Sequence, residues 1–373
     1  MRRIGSIVLR VALLGGIAAP GCKRAAQAES QAPTTAVSLS ARASFEAGVK
    51  HLDAGAQEYE EAIRAFRAAI ALEPGLWEAW LDIGVIELRR ARLGEAAKAL
   101  ERSLEVYASP LALDALGAVY LRQGRPGRAV QLYERALAKQ PGDVRVRNAL
   151  AAALRRADRL DDAEAECRAI LGEHAFDPSA FATLAAIMID RDQLDLAELL
   201  LNKGLSRHPD HPLLVTNLGL VALKRGDDQT ALAMFDKASA ADPGFITGRL
   251  NKAALFLGAG DHKHARAELE EVLRIEPGNT EALLELGTAA RLGGDLSAAR
   301  ASWDRVLAID ADHAAAHFNL AVLEMDFAEH PDAARSHLER YLKVVGADGT
   351  RVPAAKERLS LLDALGAQGG KSK

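Results

Sequence analysis

Small and apolar residues recur along most of the chain in a single register. Alanines stand at Ala62, Ala96, Ala129, Ala163, Ala197, Ala231, Ala265, Ala299 and Ala333, and all but one of these steps are 34 residues long. Glycine or alanine lies twelve residues before eight of these alanines, at Gly84, Gly117, Ala151, Ala185, Gly219, Ala253, Gly287 and Ala321. Proline lies twelve residues after five of them, at Pro74, Pro141, Pro209, Pro243 and Pro277. A fixed period of this length indicates an internal repeat.

The pattern inside each period predicts a pair of helices. A first helix carries Leu-Gly or Leu-Ala at its middle, and a turn rich in Gly or Asp follows, as in residues 224–227. The second helix ends before proline, because proline cannot continue a helix. Small residues at the two recurring positions would let the helices of a pair approach closely. The sequence therefore predicts an all-α fold.

The repeat resembles the tetratricopeptide (TPR) family. Repeat 212–245 carries the family pattern in full, with Leu218-Gly219, Ala231, Phe235, Ala238 and Pro243. The resemblance covers about residues 41–345 and implies a TPR solenoid, a right-handed superhelix of about nine helical hairpins over residues 42–347. Residues 348–373 are predicted to form a capping helix, with Leu359, Leu361, Leu362 and Leu365 on its apolar side, and a polar tail.

The N-terminal residues predict a targeting segment. Three arginines precede a short apolar run over residues 11–19, which is shorter than the roughly 20 residues that span a bilayer. Residues 1–21 therefore fit a signal peptide. Gly21-Cys22 resembles the lipobox of bacterial lipoproteins, which implies a lipid on Cys22, although Ala19 stands where that family usually has Leu. The alternative is an ordinary signal peptide that is cut elsewhere.

The residues after Cys22 predict a tether and a destination. Lys23 occupies the place where the lipoprotein family's inner-membrane retention signal has Asp, so the resemblance implies an outer-membrane lipoprotein that faces the periplasm. Residues 22–41 consist largely of Ala, Gln, Ser, Thr and Pro without periodicity, and we expect them to form the lipidated N-terminus and a flexible tether.

The sequence shows no motif that indicates catalysis or the binding of a cofactor, a metal or nucleic acid. The net charge of −4 does not favour nucleic-acid binding, and no glycine-rich phosphate loop is present. The histidines are expected in exposed polar linkers: His208, His211, His262, His264, His313 and His317. Cys167 takes a place that holds Tyr133, Leu201 or Phe235 in other repeats, so it is predicted to lie in the core. We therefore expect a non-enzymatic protein without a cofactor.

The TPR resemblance implies that the fifth, ninth, twelfth and thirteenth positions of each repeat line an inner groove. Apolar residues hold many of these positions: Leu81, Val85, Leu220, Leu223, Leu250, Leu257, Phe318 and Val322. The alternative is that they only pack against neighbouring helices. Arginine recurs at the thirteenth position in Arg89, Arg122 and Arg156, with Arg155 and Arg125 nearby, which is either a binding strip or a solvated face. The expected partner is a protein with an apolar segment and an acidic segment.

These features predict a membrane-anchored scaffold for protein–protein interactions in an envelope complex. The last repeat, at residues 318–326 and 338–342, resembles the TPR lipoproteins of the adventurous gliding-motility machinery. A related role is the assembly of an outer-membrane channel or pilus. The alternative is an accessory subunit that organises an envelope enzyme, such as a polysaccharide export or synthesis complex.

Overall fold

The computed structural model describes residues 38–326, 330–346, 349 and 351–369, apart from the side chains of residues 56 and 365–369. The predicted signal peptide, Cys22 and residues 22–37 of the predicted tether lie outside this part of the chain. All regular structure in the described ranges is helical. The chain divides into two compact units, which we call unit 1 and unit 2, with the boundary between Arg249 and Leu250.

Unit 1 contains six hairpins that follow one another along the chain. Their helices are α1 (Leu39–Ala54), α2 (Tyr59–Leu72), α3 (Trp77–Arg89), α4 (Leu93–Val106), α5 (Pro110–Arg122), α6 (Pro126–Lys139), α7 (Val144–Arg156), α8 (Leu160–Glu173), α9 (Pro178–Asp190), α10 (Leu194–Leu205), α11 (Pro212–Lys224) and α12 (Asp228–Ala241). A short 3₁₀ turn, Ala56–Glu58, accommodates the extra residues of the first repeat. The first helices of neighbouring hairpins contact each other from α3 to α11.

The boundary between the units falls within α13 (Ile246–Gly258). Unit 2 continues with α14 (His262–Ile275), α15 (Thr280–Leu292), α16 (Leu296–Ile309), α17 (Ala314–Asp326), α18 (Pro331–Val345) and α19 (Val352–Gly369). The described residues thus form nine hairpins followed by α19, as the repeat count predicted.

In five of the nine hairpins that the structure describes, a glycine of the first helix lies against a large side chain of the second helix. Gly219 in α11 faces the ring of Phe235 in α12, where an added Cβ would lie 2.5 Å from a ring carbon. Gly287 in α15 faces the indole of Trp303 in α16 in the same way. The rings fill the space that the missing side chains leave, so these hairpins depend on this pair of residue sizes.

The recurring alanines of the second helices are fully buried, with one exception. Ala62 through Ala299 are 0% exposed at each repeat position, but Ala333 is half-buried and its neighbour Ala334 is 0% exposed. The last hairpin therefore carries one more residue between its helices than the sequence register predicted. The shift coincides with the irregular sequence at Glu329-His330-Pro331.

The turns within the hairpins share one backbone conformation. The residue two positions after the end of the first helix has a left-handed φ angle in seven repeats: Ala91, Gly124, Asp158, Asp192, Gly226, Gly260 and Gly294. In the last three of these repeats the next residue is an aspartate that caps the second helix, for example Asp227, whose carboxylate accepts the backbone N–H of Thr230 at 3.0 Å. The Gly- and Asp-containing turns predicted from sequence are confirmed.

The last helix, α19, packs against the final hairpin of unit 2. Val352, Ala355 and Leu362 are buried in one cluster with Leu338 and Tyr341 of α18. Arg358 forms a bidentate ion pair with Asp326 at the end of α17, with N–O distances of 2.7 and 3.1 Å. In the part of the chain that the structure describes, no helix has the length and apolar content needed to cross a membrane.

One acidic side chain is buried in unit 1 without a hydrogen-bond donor among the described residues. Asp82 of α3 is 7% exposed, and burial raises its pKa to about 8, with Glu78 adding to the rise and Arg89 opposing it. The same repeat position in α11 holds Asn217, whose Nδ2 donates to the carbonyl oxygen of Ala182 at 2.9 Å. An amide therefore suits this position better than an ionised carboxylate.

We expect Gly219→Leu to destabilise unit 1 by roughly 1–3 kcal/mol or more, because the new side chain would collide with the ring of Phe235. Gly172→Leu is the matched control: Gly172 lies in α8, no atom is within 4 Å of the place that a Cβ would take, and leucine has the higher helix propensity. Thermal unfolding followed by circular dichroism should show a lower midpoint for the first variant alone. Equal midpoints for both variants would contradict the close contact.

We expect Asp82→Asn to stabilise the protein at pH 8 by roughly 1–3 kcal/mol, the usual cost of a buried polar group without a partner. Between about pH 4 and pH 8 the folded chain keeps a proton on Asp82 that the unfolded chain releases, so wild-type stability should fall as the pH rises through this window. Unfolding midpoints measured from pH 5 to pH 8 should show a shallower slope for this variant. The exposed control Asp236→Asn should keep the wild-type slope.

Candidate functional site

Two of the predicted groove residues are not accessible. Leu81 and Val85 of α3 are each 1% exposed and belong to the same buried cluster as Ala112 and Leu116 of α5. The contact between the first helices of these two hairpins covers them. The sequence-based assignment of Leu81 and Val85 to a binding surface is therefore wrong, and close packing between helices, the alternative, holds at these positions.

The other apolar groove residues keep part of their surface. In unit 1, Leu220 is half-buried and Leu223 is 38% exposed. In unit 2, Leu250, Leu257 and Val322 are half-buried. These side chains can contact a partner without a rearrangement of the helices that carry them.

Phe318, also in unit 2, is half-buried between two side chains of its own unit. Its ring makes an edge contact with Tyr341, with 5.3 Å between the ring centres. The guanidinium of Arg351 lies 4.9 Å from the centre of the same ring, and Arg351 also donates to Asn319 at 3.3 Å. The ring of Phe318 is thus already in contact with Tyr341 of the last hairpin and with Arg351 in the segment before α19.

The arginines of the predicted strip in unit 1 differ in exposure, and two of them, Arg155 and Arg89, bond to side chains of other repeats. Arg155 forms a bidentate ion pair with Asp190, with N–O distances of 2.6 and 3.0 Å. Arg89 is half-buried and donates to the hydroxyl oxygen of Tyr59 at 3.5 Å. Arg122 and Arg156 are exposed. The charge of Arg155 is neutralised within the protein, which corrects its assignment to the free basic surface.

A local interaction accounts for part of this arginine pattern. Arg89, Arg122, Arg155 and Arg156 all lie in the last turn of a first helix. A positive charge at this end of a helix interacts favourably with the backbone dipoles. Recurrence at this position therefore does not by itself indicate a binding site.

Polar side chains at the fifth position of the first helices bond to neighbouring hairpins. Asp114 of α5 accepts from Arg145 of α7 at 2.6 Å; burial raises the pKa of Asp114, and the Arg145 guanidinium opposes the rise. Asn148 of α7 donates to Asp177, the N-cap of α9, at 3.1 Å. These bonds connect successive repeats across unit 1. Leu220 and Leu223 are accessible apolar residues on the same helices.

Sequence reasoning missed a set of ion pairs between successive repeats, which we call the ion-pair ladder. Arg191 bonds to Asp161 at 2.6 Å and to Glu164 at 2.5 Å. Arg225 bonds in the same way to Asp195 and Glu198, both at 2.6 Å, and Arg90 bonds to Glu60 at 2.5 Å. Each arginine directly follows the last residue of a first helix, and its acids lie in the first turns of the preceding second helix. The recurrence of Arg with acids at fixed spacing was the available signal.

The histidines and the cysteine lie in different surroundings. His317 is 8% exposed, and its Nδ1 lies 2.9 Å from Nδ1 of His337, so its expected place in an exposed linker is wrong. Cys167 is 0% exposed, as predicted, and burial raises the pKa of its thiol to about 12. No three His, Cys, Asp or Glu side chains within the described ranges come together as metal ligands.

Two protein-family models match most of the repeat region. One model described as "Tetratricopeptide repeat" matches residues 120–188. A second model with the same description matches residues 51–112, 189–244, 250–312 and 293–350. Together these segments cover well over half of the chain.

Individual proteins are similar over shorter stretches or in fold alone. The peroxisomal targeting signal receptor of Pichia angusta is 33% identical over 108 residues, which are 28% of this chain and 19% of that protein. The chain thus matches about a fifth of the length of this curated relative. The crystal structure of the APC/C hetero-tetramer Cut9–Hcn1 aligns with 82% of this chain and 59% of that chain, with a TM-score of 0.51 and 15% identity.

A second solved structure is YrrB, described as a TPR protein with an unusual peptide-binding site; it aligns with 51% of this chain and 97% of its own, with a TM-score of 0.41 and 19% identity. Likeness at these identities concerns the fold only. The family matches and the nine helical hairpins agree with each other. The chain belongs to the tetratricopeptide repeat family, whose fold serves as a scaffold for protein–protein interactions.

Proposed function

We propose that the protein is a membrane-anchored, non-enzymatic TPR scaffold in a bacterial envelope complex, held at the outer membrane by a lipid on Cys22 and facing the periplasm. The observation that carries the proposal is the combination of a TPR array with Gly21-Cys22 after a signal-like leader. Gliding motility or the assembly of an outer-membrane channel or pilus is the setting that the sequence resemblance favours.

In this proposal each unit contributes its own contacts to a partner. In unit 1, Leu220 and Leu223 would receive apolar side chains of the partner, and the exposed Arg122 and Arg156 would receive acidic ones. In unit 2, Leu250, Leu257 and Val322 would provide apolar contacts. Apolar contacts should slow dissociation of the partner, whereas charges should mainly speed its association and set specificity.

We expect Cys22→Ala to abolish lipid attachment and to move the protein from the membrane fraction to the soluble fraction or to leave it uncleaved. Labelling of cells with a fatty-acid analogue, followed by fractionation, measures both effects. Membrane partition of the variant equal to that of the wild type, with no label on either protein, would contradict the lipoprotein part of the proposal.

We expect Leu223→Asp to weaken partner retention about tenfold, mainly through faster dissociation, because an ionised group would replace an apolar contact. Leu199→Asp is the matched control, since Leu199 is a 65% exposed leucine on a second helix of the same unit. Crosslinking in cells, quantified by mass spectrometry, should show partners lost from the first variant and kept by the second. Equal partner recovery from both variants would contradict binding at this inner surface. Recovery of an envelope enzyme as the main partner would favour the accessory-subunit role.

A further inference from the structure

The ion-pair ladder of unit 1 is interrupted at two successive repeats. Where the ladder is present, the residue after the first helix is arginine, and the second residue of the preceding second helix is acidic, as in Arg191 with Asp161. At the two interrupted positions the first-helix residue is Gln123 or Ala157. Gln123 instead donates to the carbonyl oxygen of Leu93 at 3.1 Å.

The acids are absent at the same two positions. The second and fifth residues of α4 are Gly94 and Ala97, and those of α6 are Gly127 and Val130. The chain therefore lacks both halves of the ion pair at each interruption, and it keeps both halves where the ladder is intact. We call this interrupted region, formed by the turns at residues 121–126 and 155–159, the ladder gap.

Arginines without an internal carboxylate remain at the ladder gap. Arg125 and Arg156 are exposed, and neither forms an ion pair with another residue in the part of the chain that the structure describes. Between the two turns lies a shallow cavity of about 450 Å³. Its walls are Leu121, Gly124 and Pro126 on one side and Arg155, Arg156, Asp158 and Asp190 on the other.

Helix dipoles do not explain Arg125. Arg156 lies in the last turn of α7, where a positive charge is favourable, but Arg125 is the N-cap of α6, where it is not. Its side chain makes no capping hydrogen bond. Later repeats have Asp227, Asp261 and Asp295 at this position, and each caps its helix. Arginine also holds this position in the two neighbouring repeats, as Arg92 and Arg159, and neither caps its helix. Arg92 lies 3.6 Å from a carboxylate oxygen of Glu60, and Arg159 lies 2.7 Å from one of Asp162. Of these three arginines, Arg125 is the one that has no carboxylate partner among the described residues.

We propose that the ladder gap binds an acidic segment of a partner protein, whose carboxylates pair with Arg125 and Arg156. The inference rests on the proposed scaffold function and names the chemistry of one of its contacts. Guanidinium groups bind carboxylates well in a bidentate geometry, as Arg155 with Asp190 shows in this protein. Nucleic acid would need an extended basic surface rather than two arginines, and the net charge of −4 does not favour it.

A labelled oligoglutamate peptide and the full-length protein in detergent provide the first test, with fluorescence anisotropy at low and physiological salt. The key variant is Arg125→Asp, which restores the N-cap found in later repeats and should therefore leave the thermal midpoint unchanged or higher. We expect it to weaken peptide binding about tenfold, and Arg125→Glu/Arg156→Glu to abolish binding. The affinity of the wild type should fall as salt rises.

Arg135→Glu/Lys139→Glu is the matched control, because it changes the net charge equally on later turns of α6. It should keep wild-type peptide affinity. Loss of binding equal to that of Arg125→Glu/Arg156→Glu would show a general charge effect and overturn the proposal. Wild-type affinity in Arg125→Asp, absence of peptide binding to the wild type at low salt, or tighter binding of single-stranded DNA or anionic vesicles than of the peptide would each overturn it as well.

Partner recovery in cells separates this inference from the proposed function. If Arg125→Asp keeps every crosslinked partner that Leu223→Asp loses, the scaffold function stands and the ladder gap is not the acidic contact. If the wild type yields no envelope partner, the proposed function itself fails.

Discussion

The fold depends on a small residue where the two helices of a hairpin meet, and in five of the nine described hairpins this residue is a glycine against a large side chain. Gly219 against Phe235 and Gly287 against Trp303 leave no room for a Cβ, so the two helices lie at the distance that the large ring sets. Because this pair is formed within a single repeat, each hairpin can take up its geometry locally and then stack on its neighbour. The buried surfaces between the first helices, which include Leu81 and Val85, follow from that stacking.

The contacts between repeats divide into a constant part and a variable part. Burial of the recurring alanines is constant from Ala62 to Ala299. The polar contacts vary. Arg191 and Arg225 each form ion pairs with two acids of the preceding repeat. At the same position in other repeats, Gln123 donates to a backbone carbonyl and Ala157 has no polar side chain. A family fold that is fixed by alanine, glycine and aromatic positions leaves these other positions free to vary between repeats.

The sequence predicted the repeat number and the hairpin closure because both depend on local spacing, as at Gly219 and Ala231. It was less informative about exposure, since whether Leu81 faces a groove or a neighbouring helix depends on how closely two repeats pack. The buried alanine of the last hairpin is Ala334 rather than Ala333. This shift could not be predicted from the sequence, because it depends on the path of the chain through the last turn. The pairing of Arg155 with Asp190 could not be predicted from the sequence either, because residues 35 positions apart come together only when the repeats stack.

The central claim is that a partner's acidic segment contacts unit 1 at the ladder gap. Hydrogen–deuterium exchange of the full-length protein, with and without oligoglutamate peptide, tests it most directly because it locates binding along the chain. The account predicts slower exchange confined to the turns at residues 121–126 and 155–159. Unchanged exchange at these turns, or slowing only elsewhere in the array, would contradict it.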